Sequence, residues 1–124
     1  MSTQDSPSEI DFNHLKQYVG DDVALTKEVF GMFKHQVEMW ARGLDPAADD
    51  EIWASVMHSL KGSARAVGAM GLGDLCERGE VMVGENIHLA VRTALVQDVR
   101  FSIDRVTIEI DRWEYRQSLA SLRS

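Results

Sequence analysis

A repeated three- and four-residue spacing of apolar side chains is the feature that most constrains the fold of this chain. The clearest stripe consists of Trp53, Val56, Met57, Leu60, Ala64 and Val67. Because an α-helix has 3.6 residues per turn, side chains at this spacing lie on one face. The segment that begins near Asp49 or Asp50 and ends at Gly68 is therefore predicted to be an amphipathic helix with one buried face.

The same spacing predicts four more helices. Their apolar residues are, in chain order, Phe12, Leu15 and Tyr18 or Val19; Leu25, Val29, Phe30, Phe33, Val37 and Trp40; Leu72, Leu75, Cys76, Met82 and Val83; and Ile87, Val91, Leu95, Val99, Ile103, Val106, Ile110 and Trp113. Alternation over 106–110 would also fit a short strand, but the longer window keeps the helical period and offers no second strand. We expect an all-α fold, an antiparallel up-down four-helix bundle with a short extra N-terminal helix.

Length and composition limit the classes of function. The 124 residues predict a flexible tail at 1–9 and a single domain at 10–120. Thirteen lysines and arginines against 20 aspartates and glutamates give a formal charge of -7, which argues against nucleic acid as a partner. The apolar stretches are too short for a membrane span, and the polar, acidic N-terminus is unlike a signal peptide, so we expect a cytoplasmic protein without a membrane partner. One cysteine excludes an internal disulfide.

His58 is the polar residue that the helical pattern does not explain. With about 100° per residue, it lies about 140° from Trp53 and points away from the buried face. Small residues surround it on the helix surface, namely Ala54, Ser55 and Gly62. A glycine inside a helix costs about 1 kcal/mol relative to alanine. We interpret Gly62 as clearance that lets another macromolecule approach the imidazole.

Two cations lie on the same face of this helix. Lys61 is one turn beyond His58 and Arg65 two turns beyond it. A lysine one turn away can reach an anion attached to the imidazole. An exposed histidine, a nearby cation and little surrounding bulk together favour a site that carries a phosphoryl group.

The sequence around His58 resembles the histidine-containing phosphotransfer (HPt) domain family. The matching segments are His58-Ser59-Leu60-Lys61-Gly62-Ser63-Ala64, Val67-Gly68-Ala69, Leu72, Leu75, Cys76 and Glu80, with Ile10-Asp11, Gly20-Asp21-Asp22 and Leu25 to Phe33 upstream. The resemblance covers roughly residues 10 to 115. It implies a helical bundle in which His58 passes a phosphoryl group between the aspartates of two receiver domains.

The resemblance also implies a role for each site residue. His58 is the expected phosphoacceptor through Nε2, Lys61 screens the phosphoryl oxygens, and Gly62 permits docking. Glu80 falls where many relatives carry glutamine, and we expect its carboxylate to accept Nδ1–H and orient the ring. Ala54, Ser55, Met57, Gly62 and Arg65 are the predicted docking residues.

The expected partners are response-regulator receiver domains and a hybrid histidine kinase. We expect no cofactor in this chain, because the Mg²⁺ of the reaction belongs to the receiver. No phosphate-binding glycine motif is present, so the chain is predicted to be a stoichiometric carrier without its own ATP site. We expect a monomer, although the row Phe101, Ile108 and Tyr115 leaves a dimer open.

Two alternative functions remain from the sequence. One is the phosphoacceptor domain of a chemotaxis-type histidine kinase, which shares the histidine helix and requires an attached kinase core. The other is a helical adaptor that has lost phosphotransfer. His14, His35 and His88 lie far apart and form no metal-binding pair, so a zinc site is not predicted.

Overall fold

Five helices make up the fold in the computed structural model, which describes residues 8–123. They are α1 (Phe12–Val19), α2 (Val23–Ala41), α3 (Asp50–Ala66), α4 (Met70–Glu80) and α5 (Leu89–Arg123). In this range there is no strand, which confirms the predicted all-α class. Helices α2 to α5 form a closed ring in which α3 contacts α2 and α4, and α5 contacts α4 and α2. The extra helix α1 packs through Phe12, whose ring meets Phe30 edge-on.

Capping residues set the starts of the first two helices. Asp11 accepts a hydrogen bond from the backbone N–H of His14, and Asp22 accepts one from Leu25. The second contact shows that Asp22, rather than Asp21, caps α2. Gly20 ends α1 with a φ of 57°, a conformation that favours glycine.

Two predicted helix boundaries were wrong. Met82 and Val83 lie beyond α4, which ends at Glu80. The chain turns there because the N–H of Met82 bonds the Gly79 carbonyl oxygen at 3.0 Å instead of continuing the helical ladder. Helix α5 begins at Leu89, so Ile87, which the apolar pattern assigned to it, precedes the helix, which runs to Arg123.

The predicted core stripes are buried with a few exceptions. Trp53, Phe30, Phe33, Leu60 and Ile110 are almost fully buried. Leu25 was predicted to be in the core but is exposed, and Thr26 is buried in its place. The Thr26 hydroxyl donates a 2.8 Å hydrogen bond to the carbonyl oxygen of Asp22, which satisfies it inside the first turn.

Arg92 is a buried cation that the apolar pattern did not predict. It is 6% exposed, and its guanidinium lies 4.6 Å from the ring centroid of Trp53. It donates to the carbonyl oxygens of Pro46, Ala48 and Met82 and forms a 2.6 Å ion pair with Asp50. Arg92 therefore joins the start of α3 to the α2–α3 connection and to the α4–α5 connection.

The beginning of the described chain is attached to α5. Ser8 hydrogen-bonds the Glu109 carboxylate, and the N–H groups of Glu9 and Ile10 donate to the same carboxylate at 3.0 Å. Glu109 thus holds Ser8 and Glu9, the last two residues of the predicted tail, against α5, and the extent of that tail stays a prediction. The rest of that tail, residues 1–7, lies outside the described residues.

One face of α5 carries apolar side chains without a helix packed on them. Phe101, Ile108 and Tyr115 are 63%, 49% and 65% exposed. The row thus stays open in the single chain, and oligomeric state stays a prediction. No helix in residues 8–123 has the length and apolarity required to cross a bilayer.

Candidate functional site

The imidazole of His58 projects outward from the middle of α3. Its side chain is 70% exposed, whereas Met57 and Leu60 on the opposite face are completely buried. This orientation follows from the helical period, because the buried stripe fixes the rotation of α3 about its axis. The predicted outward orientation of His58 is confirmed.

Glu80, the last residue of α4, contacts the His58 ring from the neighbouring helix. Its Oε2 lies 3.2 Å from Nδ1 of the ring. A carboxylate at that position can accept a hydrogen bond only from a protonated Nδ1. It therefore favours the tautomer that leaves Nε2 with a free lone pair. In the part of the chain that the structure describes, Nε2 has no hydrogen-bond partner and is open to a reacting group.

Lys61 completes a three-residue cluster. Its ammonium contacts Oε1 of Glu80, and the two side chains are only 19% and 24% exposed. The hydrogen bond from Lys61, helped by the one from His58, lowers the pKa of the Glu80 carboxyl against the opposing effect of burial. Glu80 is therefore ionised at neutral pH, and its charge is matched by a lysine one turn from the imidazole.

The surface of α3 beside His58 carries only small side chains at Ala54, Ser55 and Gly62. Ser55 is exposed and Ala54 half-buried, and a Cβ added at Gly62 would meet no atom within 4 Å apart from its chain neighbours and the nearby backbone of its own helix. No packing inside the chain therefore requires glycine at this position. Ser63 turns toward α2, where its hydroxyl hydrogen-bonds the Gln36 side chain at 3.0 Å.

The docking prediction was wrong for Met57. Its side chain is completely buried, and its Sδ would lie 2.8 Å from a Cβ built on Gly79, so it faces α4 rather than solvent. Met57 is one residue from His58, and successive helix residues differ by about 100°, which is enough to turn it into the core.

Arg65 lies on the outer face of α3 and is held by α4. Its guanidinium pairs with Asp74 at 3.2 Å and with Glu77 at 3.3 Å, and its stem covers Gly73. The hydrogen bond to Glu77 and, to a smaller extent, the one to Asp74 raise the pKa of the Arg65 guanidinium. Arg65 thus fastens α3 to α4, and its role in docking stays a prediction.

Cys76 is the chain's single thiol and lies near the α3–α4 contact, but it is buried. Burial raises the pKa of the thiol to about 12, so no reactive thiolate forms at neutral pH. This confirms the sequence-based interpretation of Cys76 as a small apolar residue of the core.

One hydrogen bond near the site could not be predicted from the sequence. The indole Nε1–H of Trp53 donates a 2.7 Å hydrogen bond to the carbonyl oxygen of Gly79, next to Glu80. The period predicted Trp53 as a core residue, but a pairing with a backbone carbonyl 26 residues away depends on how the two helices pack.

Comparisons with known proteins identify the family of the chain. The Hpt domain family matches residues 28–123. Among solved structures, the chain is similar to the histidine phosphotransferase ShpA from Caulobacter crescentus, with a TM-score of 0.72 and 31% sequence identity over 93% of this chain and 99% of that chain. No curated protein matches the sequence. With a family match over most of its length and a bundle that places one exposed histidine among an acid, a lysine and a glycine, the chain belongs to the Hpt domain family.

Proposed function

We propose that this protein carries a phosphoryl group on Nε2 of His58 between the aspartates of two receiver domains in a phosphorelay. The observation that carries the proposal is the environment of one imidazole: its Nδ1 faces a carboxylate at 3.2 Å, and its other nitrogen is open. Membership of the Hpt domain family supports the same role.

The transfer is a pair of displacements at phosphorus. The Nε2 lone pair attacks the aspartyl phosphate of one receiver, and the N–P bond forms as the P–O bond breaks and the aspartate leaves with the electron pair. Because Nδ1 keeps its proton, the phosphorylated ring is cationic. A carboxylate oxygen of the second receiver then attacks phosphorus, and the N–P electron pair returns to a neutral imidazole.

The Glu80 carboxylate supports this cycle by accepting Nδ1–H throughout. When the ring becomes cationic, the adjacent negative charge of Glu80 stabilises it. The same charge would repel the phosphoryl oxygens, and Lys61 offsets that repulsion because its ammonium contacts the carboxylate one helical turn from the ring. Transfer of this kind depends mainly on alignment and charge neutralisation, which these residues supply.

The receiver provides the remaining parts of the reaction. We expect it to bring the Mg²⁺ and the acidic pocket, and to dock over Gly62, Ala54 and Ser55. Its phosphoryl donor is in turn expected to be a hybrid histidine kinase, so this chain needs no ATP site. It acts stoichiometrically, one phosphoryl group for each copy of the protein.

Phosphotransfer kinetics test the proposal. A receiver domain phosphorylated with labelled phosphate is mixed with the wild type, with His58→Gln and with His35→Gln, a control at another exposed helical histidine. We expect the wild type and His35→Gln to take up label at equal rates and His58→Gln to take up none. Equal uptake by the wild type and both variants would overturn the proposal. A wild type that takes up no label from any receiver of its own organism would overturn it as well.

Lys61 is tested in the same assay. Lys61→Met retains the apolar stem but removes the cation, and we expect transfer to slow by about tenfold because the phosphoryl oxygens lose a neutralising charge. Lys27→Met on α2 is the matched control, since that lysine is exposed and far along the chain from His58. Equal rates for the two variants would remove Lys61 from the mechanism.

A further inference from the structure

The end of α4 decides where the Glu80 carboxylate lies. Glu80 is the last residue of that helix, and the final carbonyls of a helix lack intrahelical N–H partners. A helix end without such partners frays, and a carboxylate on a fraying turn would not hold a 3.2 Å contact with the imidazole. The Met82 N–H of the following turn bonds the Gly79 carbonyl oxygen at 3.0 Å, and a contact from a neighbouring helix is needed to hold this turn against α3.

Trp53 supplies that contact. Its indole N–H donates to the Gly79 carbonyl oxygen at 2.7 Å, immediately before Glu80. The ring itself is 1% exposed, and the Arg92 guanidinium lies against it at 4.6 Å. Because Arg92 is in turn bonded to three backbone carbonyls and to Asp50, the indole has little freedom to move.

Close packing of α4 on α3 accompanies the hydrogen bond. A Cβ built on Gly79 would lie 2.5 Å from Cδ2 of Leu95 and 2.8 Å from Sδ of Met57. The backbone of α4 therefore lies directly against the side chain that precedes His58. Trp53 and His58 belong to the same helix. The indole hydrogen bond therefore sets the position of Glu80 relative to the imidazole.

We propose that Trp53 is a positioning residue for phosphotransfer: its indole N–H fixes the last turn of α4 and so holds Glu80 on Nδ1 of His58. The proposal rests on the proposed function, in which Glu80 orients the ring. Trp53 does not contact the reacting atoms. It acts through Gly79 and Glu80, and it should matter only while Glu80 is present.

The test combines Trp53→Phe with Glu80→Ala in a double-mutant cycle. Trp53→Phe retains an aromatic ring but removes the N–H donor, and Trp113→Phe on α5 is the matched control for the loss of indole volume. Circular dichroism and urea unfolding establish that each variant is folded. Transfer from a phosphorylated receiver gives the rate, and ¹⁵N spectra of the imidazole give the tautomer of His58 without any receiver.

We expect Trp53→Phe to lower the Nδ1–H fraction of His58 and to slow transfer by no more than about tenfold, the loss expected for removal of Glu80 itself. In the Glu80→Ala background the same substitution should leave both quantities unchanged. Trp113→Phe should change neither quantity in either background.

Each contrary outcome has a separate meaning. An unchanged tautomer in folded Trp53→Phe overturns the positioning role, whatever the transfer rate. Equal slowing by Trp53→Phe with and without Glu80 shows a merely structural effect and also overturns it. If Glu80→Ala alone changes neither rate nor tautomer, the orienting role of Glu80 in the proposed function fails instead.

Discussion

Nδ1 of His58 lies 3.2 Å from Oε2 of Glu80, a contact that joins the middle of α3 to the last residue of α4. Glu80→Ala removes the acceptor, and we expect transfer to slow by about tenfold. Glu80→Gln retains an acceptor oxygen without the charge, so its rate should lie between those of the wild type and the alanine variant. Stopped-flow or quenched transfer from one phosphorylated receiver measures all three, and equal rates would remove Glu80 from the mechanism.

The ion pair between Glu80 and Lys61 makes stability depend on pH. Lys61 lowers the pKa of Glu80 below its ordinary value of 4.5, so the unfolded chain takes up this proton at a higher pH than the folded chain does. The resulting stability is fully present above pH 4.5 and is lost as the pH falls through the lowered pKa of the folded state. Because the pair is partly solvated, we expect a contribution of no more than about 1 kcal/mol.

Urea unfolding of the wild type and Glu80→Gln at pH 7 and near pH 3 measures this contribution. The wild type should be the more stable protein at pH 7, and the difference between the two should shrink at the lower pH. A difference that grows with acidification would contradict the assignment of the lowered pKa to the pair.

Gly62 should show opposite effects on stability and on transfer. Its Cβ position is open, so Gly62→Ala should raise the free energy of unfolding by about 0.5–1 kcal/mol through helix propensity. The added methyl projects into the face where a receiver docks, so transfer should slow. Gly31→Ala in α2 is the control, because that position is equally open but lies on another helix.

For Gly31→Ala we expect a similar gain in stability with no change in transfer rate. If Gly62→Ala gains stability and transfers at the wild-type rate, Gly62 has no role in docking. Thermal unfolding and receiver transfer on the same preparations give both quantities.

Gly68 links the end of α3 to the N-terminal segment. Its φ is 83°, its carbonyl oxygen accepts the N–H of Asp11 at 2.8 Å, and an added Cβ would lie 2.7 Å from the Asp11 carbonyl oxygen. Gly68→Ala should therefore cost more than the roughly 1–3 kcal/mol of backbone strain alone. Gly20→Ala, where φ is 57° and the space is open, isolates the strain.

Chemical denaturation of the two alanine variants compares these costs. The Gly68 variant is expected to be the less stable one by at least about 1 kcal/mol, because backbone atoms cannot rotate away from the added methyl. Equal losses would mean that the contact with Asp11 adds nothing to the strain.

The sequence predicts most of this fold because the relevant signals are local. Three- and four-residue spacing identifies α3 and its rotation, and from that rotation follows the outward orientation of His58. The same reasoning fails for Arg92, since a buried arginine needs several backbone carbonyls that only the folded connections bring together. It also fails at residues 82–83, where the Gly79 carbonyl oxygen accepts the Met82 N–H within the turn and the Trp53 indole N–H from across the bundle.

The candidate site divides in the same way. His58, Lys61 and Gly62 share one helix, so their proximity can be predicted from spacing alone. Glu80 could be assigned to the site only through the family resemblance, because its distance from His58 depends on how α4 packs on α3. Met57 was misplaced on the docking surface because its neighbour His58 is exposed, although one residue along a helix is enough to reverse the environment.

Localisation of the phosphoryl group within the phosphorylated protein identifies the phosphoacceptor residue. The protein is phosphorylated by a receiver, digested at alkaline pH to preserve phosphohistidine, and analysed by tandem mass spectrometry. We expect one acid-labile phosphoryl group per chain, on the imidazole of His58, and none on His14, His35 or His88. A phosphoryl group on any other residue, or relay activity that persists while His58 stays unmodified, would contradict this expectation.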